Sequence, residues 1–449
     1  MNLTRRGLMQ SVAAPFLMQR RAAAPRRPNI VLVLAADFGA WMAGCYGNQE
    51  IRTPHIDRLA DAGTRMAQCF VCTPAEAPSR ATLFTGRTPR RHGLEDAPEG
   101  AAQAPPALAN AAMISDLLAA AGYRCGFVGR WAMGNDRKPG RGFEYAAVLE
   151  GDPAENVQFS VNGSSVSENL FITEILTKYA TNFFAEQKKK DKPFFLAVSH
   201  PGAGAAPAGL PQRYLDMYRE ARFASFGIQP AAPNAVRGRE YLEDPLPALR
   251  RCAAAASALD DHVGALHRRI LELGLFDSTL FIFTSVTGML LGQHGLWGGG
   301  RASDPVNMYE EAVRVPMIWS WPGRIPVQSV RPELVSLYDF LPTVCEAAGV
   351  EPPAGPNLCG RSYLPLVMQR PLPKKQPWPD LVFGQYLDTE MARDKYYKLV
   401  VRESGKGPGE LYDIRKDPRE RVNLYSDAGF STVRAALEKR LAAWREACA

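Results

Sequence analysis

Residues 29–35 read Asn29-Ile30-Val31-Leu32-Val33-Leu34-Ala35, an apolar run with one polar residue at its start. A strand with one wet face alternates polar and apolar residues. A run without alternation is what a strand buried on both faces of a parallel sheet requires. Similar runs recur at Cys125–Val128, Phe194–Ser199, Thr279–Thr284 and Val315–Trp319. Between them apolar residues return at helical spacing over Pro54–Ala62, Met113–Ala121, Pro245–Leu273 and Leu337–Ala348. Strands alternating with helices predict an α/β fold, a large, mostly parallel sheet flanked by helices. In such sheets the chemistry gathers just beyond the carboxyl ends of strands, so the residues after each run are the ones to read.

After a Pro/Gly-rich stretch from Pro352 to Pro379 the pattern shortens. Leu381–Tyr386, Tyr396–Arg402 and Glu410–Ile414 read as strands and Ser431–Cys448 as a closing amphipathic helix. The expected organisation is a main α/β domain over residues 27–350 and a small α+β subdomain over 351–449. Residues 1–24 read as a cleavable export signal. Thr4-Arg5-Arg6-Gly7 precedes a short apolar stretch, and Ala22-Ala23-Ala24 offers an A-x-A site. The paired arginines point to the twin-arginine route and a periplasmic or extracellular destination; the plain alternative is a frayed basic terminus.

The segment carries four arginines and no acid, so its removal takes the formal net charge from +7 to +3. A balance that small, with no basic stripe interleaved with aromatics, gives no footprint for nucleic acid. No apolar run reaches the roughly 20 residues that span a bilayer. Of the eight cysteines, Cys69 and Cys72 have Cys-x-x-Cys spacing but enclose Phe70 and Val71, and no partner at zinc spacing follows. They read as part of a buried run, as do Cys125 and Cys345. Disulfide connectivity is not deducible from the sequence.

Several segments in order carry a resemblance: RPNIVLVLA, GCYGN followed by IRTPHIDRLADAGTRM, APSRATLFTGRTPRRHG, GYRCGFVGRW, LDDHVGAL, TLFIFTS, QHGLWG, NMYEEAVRVPMIWSWPGRIP and GELYDIRKDPRERVNL. From about Arg27 to the C-terminus the chain resembles the sulfatase family of the alkaline-phosphatase-like superfamily. That resemblance implies a formylglycine nucleophile made from cysteine or serine and a calcium-like cation held by aspartates and an asparagine. It also implies lysines, histidines and an arginine that clamp sulfate and move protons. Sulfate esters hydrolyse slowly enough that all three contributions are needed.

The resemblance also shows where this chain departs. The opening strand ends in two aspartates in the family and in Ala36-Asp37 here. The signature Cys/Ser-x-Pro-Ser-Arg reads Glu76-Ala77-Pro78-Ser79-Arg80, so Glu76 stands at the nucleophile position; Cys72 lies four residues too early. Gly-Lys-Trp-His becomes Gly129-Arg130-Trp131-Ala132, and Ala205 falls where a histidine belongs. Ser-Asp-Asn-Gly becomes Ser285-Val286-Thr287-Gly288, and Gly299 replaces the last lysine. No catalytic set is intact, and at Ala36, Asp37, Val286 and Thr287 no tightly bound metal is expected. Calcium is the cofactor if that site works after all.

Arg80, Arg130 and His294 remain as candidates for holding an anion. Asp37 is either a residual ligand or a carboxylate paired with an arginine. Glu76 is either an exposed glutamate or a carboxylate standing where a sulfate would bind, ahead of a helix starting at Pro78, with Arg80 and Arg130 converging on it. Asp260-Asp261-His262 reads as a polar seam on the long helix, and Trp297 as cleft wall or core. The expected function is a non-catalytic sulfatase-like protein that binds a sulfated glycan, another anion or a partner protein. The alternative is an active sulfuric or phosphoric ester hydrolase with an unorthodox site, using Glu76 with His200 or His294.

Overall fold

The computed structural model describes residues 27–96, 104–134, 137, 139–151, 157–188, 190, 192–202, 204, 209–353, 358–403, 405 and 407–448. Residues 1–24, expected to be an export signal, and the position Ala205 lie outside them.

The apolar runs form the middle of one large sheet. Asn29–Ala35 lies between Phe194–Ser199 and Thr279–Ser285, parallel to both, and Arg124–Gly129 and Phe143–Glu150 continue the parallel order. Alternate residues of the first strand enter opposite layers: Ile30, Leu32 and Leu34 pack into one apolar core, and Val31 and Val33 into the other. All five are fully buried, and each contributes roughly 1.5–3 kcal/mol of burial free energy. This is the physical reason the run does not alternate.

The sheet's flanks are less regular. The stretch expected as one strand over Val315–Trp319 is two, Arg314–Val315 and Met317–Ser320. Pro316 divides them because it has no N–H to give the ladder; its carbonyl accepts the Thr284 hydroxyl at 2.7 Å. Both pieces pair antiparallel with Thr64–Phe70, which pairs parallel with Ser329–Ser336. At the other edge Phe143–Glu150 leads into an antiparallel meander through Val157–Val161 and Ser164–Glu168.

The long helix Pro245–Glu272 uses its polar seam to organise a neighbour. Helix Pro54–Asp61 has no side-chain cap of its own. The Asp260 carboxylate supplies one, accepting the His55 and Ile56 backbone N–H groups at 3.0 and 2.7 Å.

The C-terminal region is a four-stranded antiparallel sheet, Leu381–Tyr386, Thr389–Asp394, Tyr397–Arg402 and Glu410–Asp413, with helix Ser431–Cys448 packed on it. The second of these strands, TEMARD, was not expected, because its polar residues mask a pairing set by the tight turn at Leu387-Asp388. No helix among the described residues is long and apolar enough to cross a membrane.

Candidate functional site

Four parallel strands end at one edge of the sheet and present Asp37, Arg130, His200 and Thr287 just beyond their last residues. Asp37 adopts a left-handed backbone (φ 51°). Its N–H donates to the Thr287 hydroxyl oxygen at 2.8 Å, and that hydroxyl lies 3.2 Å from Asp37 Oδ1, to which it donates. Gly202 lies so close that a Cβ there would meet Asp37 Oδ2 at 2.4 Å. Burial first, then the neighbouring Glu76 charge, push the Asp37 carboxyl up to about 6, against the pull of Thr287 and Arg130. Ala36 and Val286, flanking the same strand ends, are fully buried and carry no oxygen in their side chains.

Glu76 belongs to the helix Glu76–Thr85, which starts two residues earlier than the Pro78 start expected from the sequence. Pro78 still falls in the first turn, where N–H groups have no helical partner and proline is tolerated. Glu76 is therefore the first helical residue and stands one turn below Arg80. Its Oε1 lies 2.5 Å from Arg80 Nη2. Arg80 is completely buried; its Nη1 donates to Trp131 O at 3.0 Å, and its Nε has no hydrogen-bond partner. The glutamate is 28% exposed and faces the cleft. A buried guanidinium needs a counter-charge, and Glu76 supplies it in the favourable i, i+4 order, at the helix end where the dipole favours an anion.

Arg130 is anchored by its N–H to Ser199 O at 2.9 Å and reaches Gly151 O with Nη2 at 3.3 Å, while its charge acts on Asp37. Ala132 takes a left-handed conformation (φ 52°), and Gly299 packs against the Pro74 carbonyl.

His294 stands apart from the cleft. Its left-handed backbone (φ 56°) lays the ring on Tyr309, centroids 3.6 Å apart and planes 9° apart, with Nε2 3.7 Å from Glu311 Oε2. Glu420 belongs to the same group, so the surroundings are acidic and disfavour an anion. His200 is also elsewhere. It is buried, with Nδ1 2.5 Å from Pro201 O, and burial pushes it down to about 4. Neither histidine lines the cleft with Glu76.

The cleft itself has a volume of about 530 Å³. Beside Asp37, Glu76, Thr287 and Gly299 it is lined by Trp297 and by residues that sequence reasoning missed: Asp96, Arg237, Arg301 and Tyr386. Arg301 pairs with Asp96 and donates to the Tyr386 hydroxyl at 2.8 Å, and that hydroxyl donates to Asp96 at 3.0 Å. Tyr386 comes from the C-terminal sheet, so the cleft is closed by both parts of the chain and no local signal could have announced it. Elsewhere, the described residues hold two clusters that could take a metal ion, His55/Asp260/Asp261 and His294/Glu311/Glu420.

A strand-end cleft in a mostly parallel sheet, capped by a small antiparallel sheet, defines an α/β protein of the alkaline-phosphatase-like class. The chain belongs to the sulfatase family: the family described as "Sulfatase" matches residues 28–350, and "N-sulphoglucosamine sulphohydrolase, C-terminal" matches 298–447. It is 25% identical to the N-acetylglucosamine-6-O-sulfatase of Bacteroides thetaiotaomicron, over 90% of this chain and 84% of that one. It is 28% identical to human arylsulfatase A, over 91% and 86%. Among solved structures, one in complex with its substrate D-glucosamine-2-N,6-O-disulfate shares the fold, with a TM-score of 0.80 and 24% identity over 94% of this chain and 98% of the other.

Proposed function

We propose that this chain is a non-catalytic member of the sulfatase family, in which the Glu76 carboxylate stands in the place of a substrate sulfate and neutralises the arginine left there. The 2.5 Å contact between Glu76 and the fully buried Arg80 carries the reading. A carboxylate side chain cannot be converted to formylglycine. The residues at the strand ends also fit a calcium-like cation poorly. Such an ion takes six to eight oxygens. Here Ala36 and Val286 offer no side-chain oxygen, the Thr287 hydroxyl is committed to Asp37, and the remaining carboxylates are Asp37 and Glu76, the latter paired with Arg80. Ala132, Ala205 and Gly299 supply no acid or base.

What the cleft retains is suited to binding. Arg237 stands exposed at its rim, and the buried Trp297 and Tyr386 rings form part of its wall. The ligand we propose is a sulfated sugar held at this rim, away from the two carboxylates. The relatives named for sulfated sugars support that class. Export, carried by residues 1–24, is part of the same reading.

One observation speaks for an active ester hydrolase instead: Asp37, pushed up to about 6, lies near a second carboxylate, an arrangement that can serve acid–base chemistry. The two readings separate in one experiment. The purified protein is dialysed, its calcium is measured, and it is then assayed on an aryl sulfate and an aryl phosphate with calcium added back. Neither retained metal nor turnover is expected; stoichiometric calcium with turnover overturns the proposal.

A further inference from the structure

Three cysteines far apart in the chain meet beneath the C-terminal helix. Cys72, Cys359 and Cys448 share one apolar cluster with Tyr338, Leu381 and Trp444. The turn that follows the Glu76 helix holds two of them by their backbones. The Cys359 N–H donates to Gly86 O at 3.2 Å, and the Thr88 hydroxyl donates to Cys448 O at 3.1 Å. Arg91, in the short helix Pro89–His92 that follows this turn, donates to Ala447 O at 2.6 Å. The Cys359 and Cys448 thiols lie in that one cluster, and each acts on the ionisation of the other.

We propose that Cys359 and Cys448 form a disulfide that clasps the closing helix Ser431–Cys448 to the turn behind the Glu76 helix. The oxidant is an external disulfide, either glutathione disulfide or the active-site disulfide of a thiol oxidoreductase. The Cys359 thiolate attacks one sulfur of that disulfide, whose S–S bond breaks and releases one thiolate. The Cys448 thiol then gives up its proton and attacks the Cys359 sulfur of the mixed disulfide, releasing the second thiolate. The two protons from the cysteines end on the two released thiols. Two protein thiols are oxidised and one external disulfide is reduced.

The surroundings set which sulfur attacks. The hydrogen bond from Cys448, together with the Arg91 charge, holds the Cys359 thiol below its usual range despite burial, and the same bond raises Cys448. Cys359 is half-buried and can be reached from outside. Cys72 is fully buried and pushed upward by that burial, which keeps it a thiol.

The test uses the full chain incubated with glutathione disulfide, alkylated, digested without reductant and mapped by mass spectrometry. A linked peptide pair containing Cys359 and Cys448 is expected, released by dithiothreitol, with Cys72 alkylated only after denaturation. The urea midpoint of the oxidised protein should lie above that of the reduced protein. In Cys448→Ser, Cys359 should keep glutathione and the midpoint should not rise. A wild-type protein that stays reduced, keeps glutathione on Cys359 or links through Cys72 overturns the proposal, and this map decides whether or not the variant folds.

Discussion

Two glutamates in this molecule each lie 2.5 Å from a fully buried cation, Glu76 from Arg80 and Glu420 from Lys398, yet the pairs differ in everything around them. Glu420 and Lys398 are both sealed from solvent. Lys398 also lies 3.6 Å from Glu310, which in turn meets Arg393, and the second oxygen of Glu420 accepts the Glu310 N–H at 2.7 Å. Burial raises the Glu420 carboxyl against the pull of Lys398. At Glu310 the charges of Arg393 and Lys398 outweigh burial and hold the carboxyl down. Glu310 belongs to the main region and Arg393, Lys398 and Glu420 to the C-terminal part, so the network is a joint.

Glu76 has one buried partner and one open side. Its pair closes no joint and lies in the wall of a cleft. Removing one partner of a pair enclosed on all sides strands a charge away from water, whereas an open side lets water reach the charge that is left.

The difference can be broken most directly at the joint. Lys398→Met leaves the buried Glu420 without its cation and Glu310 with Arg393 alone, and should cost about 3–5 kcal/mol in urea unfolding. A loss under about 1 kcal/mol would place the joint in the same class as surface pairs. Glu76→Ala strands only Arg80, which keeps its bond to Trp131 O and gains access to water, so about 1–3 kcal/mol is expected by the same measurement.

Asp37→Asn sharpens the comparison through pH. The Asp37 carboxyl rises from 3.8 to about 6, so the folded chain binds this proton more tightly than the unfolded chain. Its stabilising contribution is full below pH 3.8 and is lost as pH rises through 6. Asparagine, which accepts the left-handed backbone, removes that loss. The variant should therefore gain about 2–2.5 kcal/mol on wild type between pH 4 and pH 7. A constant difference across that range would contradict the assignment.

The smallest effect belongs to the surface. Arg440→Ala removes an exposed pair with Asp380 and should change stability by less than about 1 kcal/mol.

These contrasts also mark how much was legible beforehand. The runs at Asn29, Phe194 and Thr279 declared themselves because strands buried on both faces cannot alternate. Ser329–Ser336 did not, since Pro332, polar residues and a register shift between Arg331 and Leu334 are tolerated only at a sheet edge. At the site, the Glu76–Arg80 pair could be expected from its i, i+4 spacing and a helix start. The places of Asp96, Arg301 and Tyr386 could not, because their contacts join residues 85, 205 and 290 positions apart. The surroundings of His294 were not legible either, because its neighbours in sequence do not reveal that a left-handed turn aims its ring at Tyr309.

The central claim is that Glu76 fills the place of a sulfate, and calorimetric titration of sulfate into wild type and Glu76→Ala at low ionic strength tests it most directly. Glu76→Ala should bind one sulfate more than wild type does, weakened by added chloride, because Arg80 is then free to take an anion. Equal sulfate stoichiometry in wild type and the folded variant would contradict the claim.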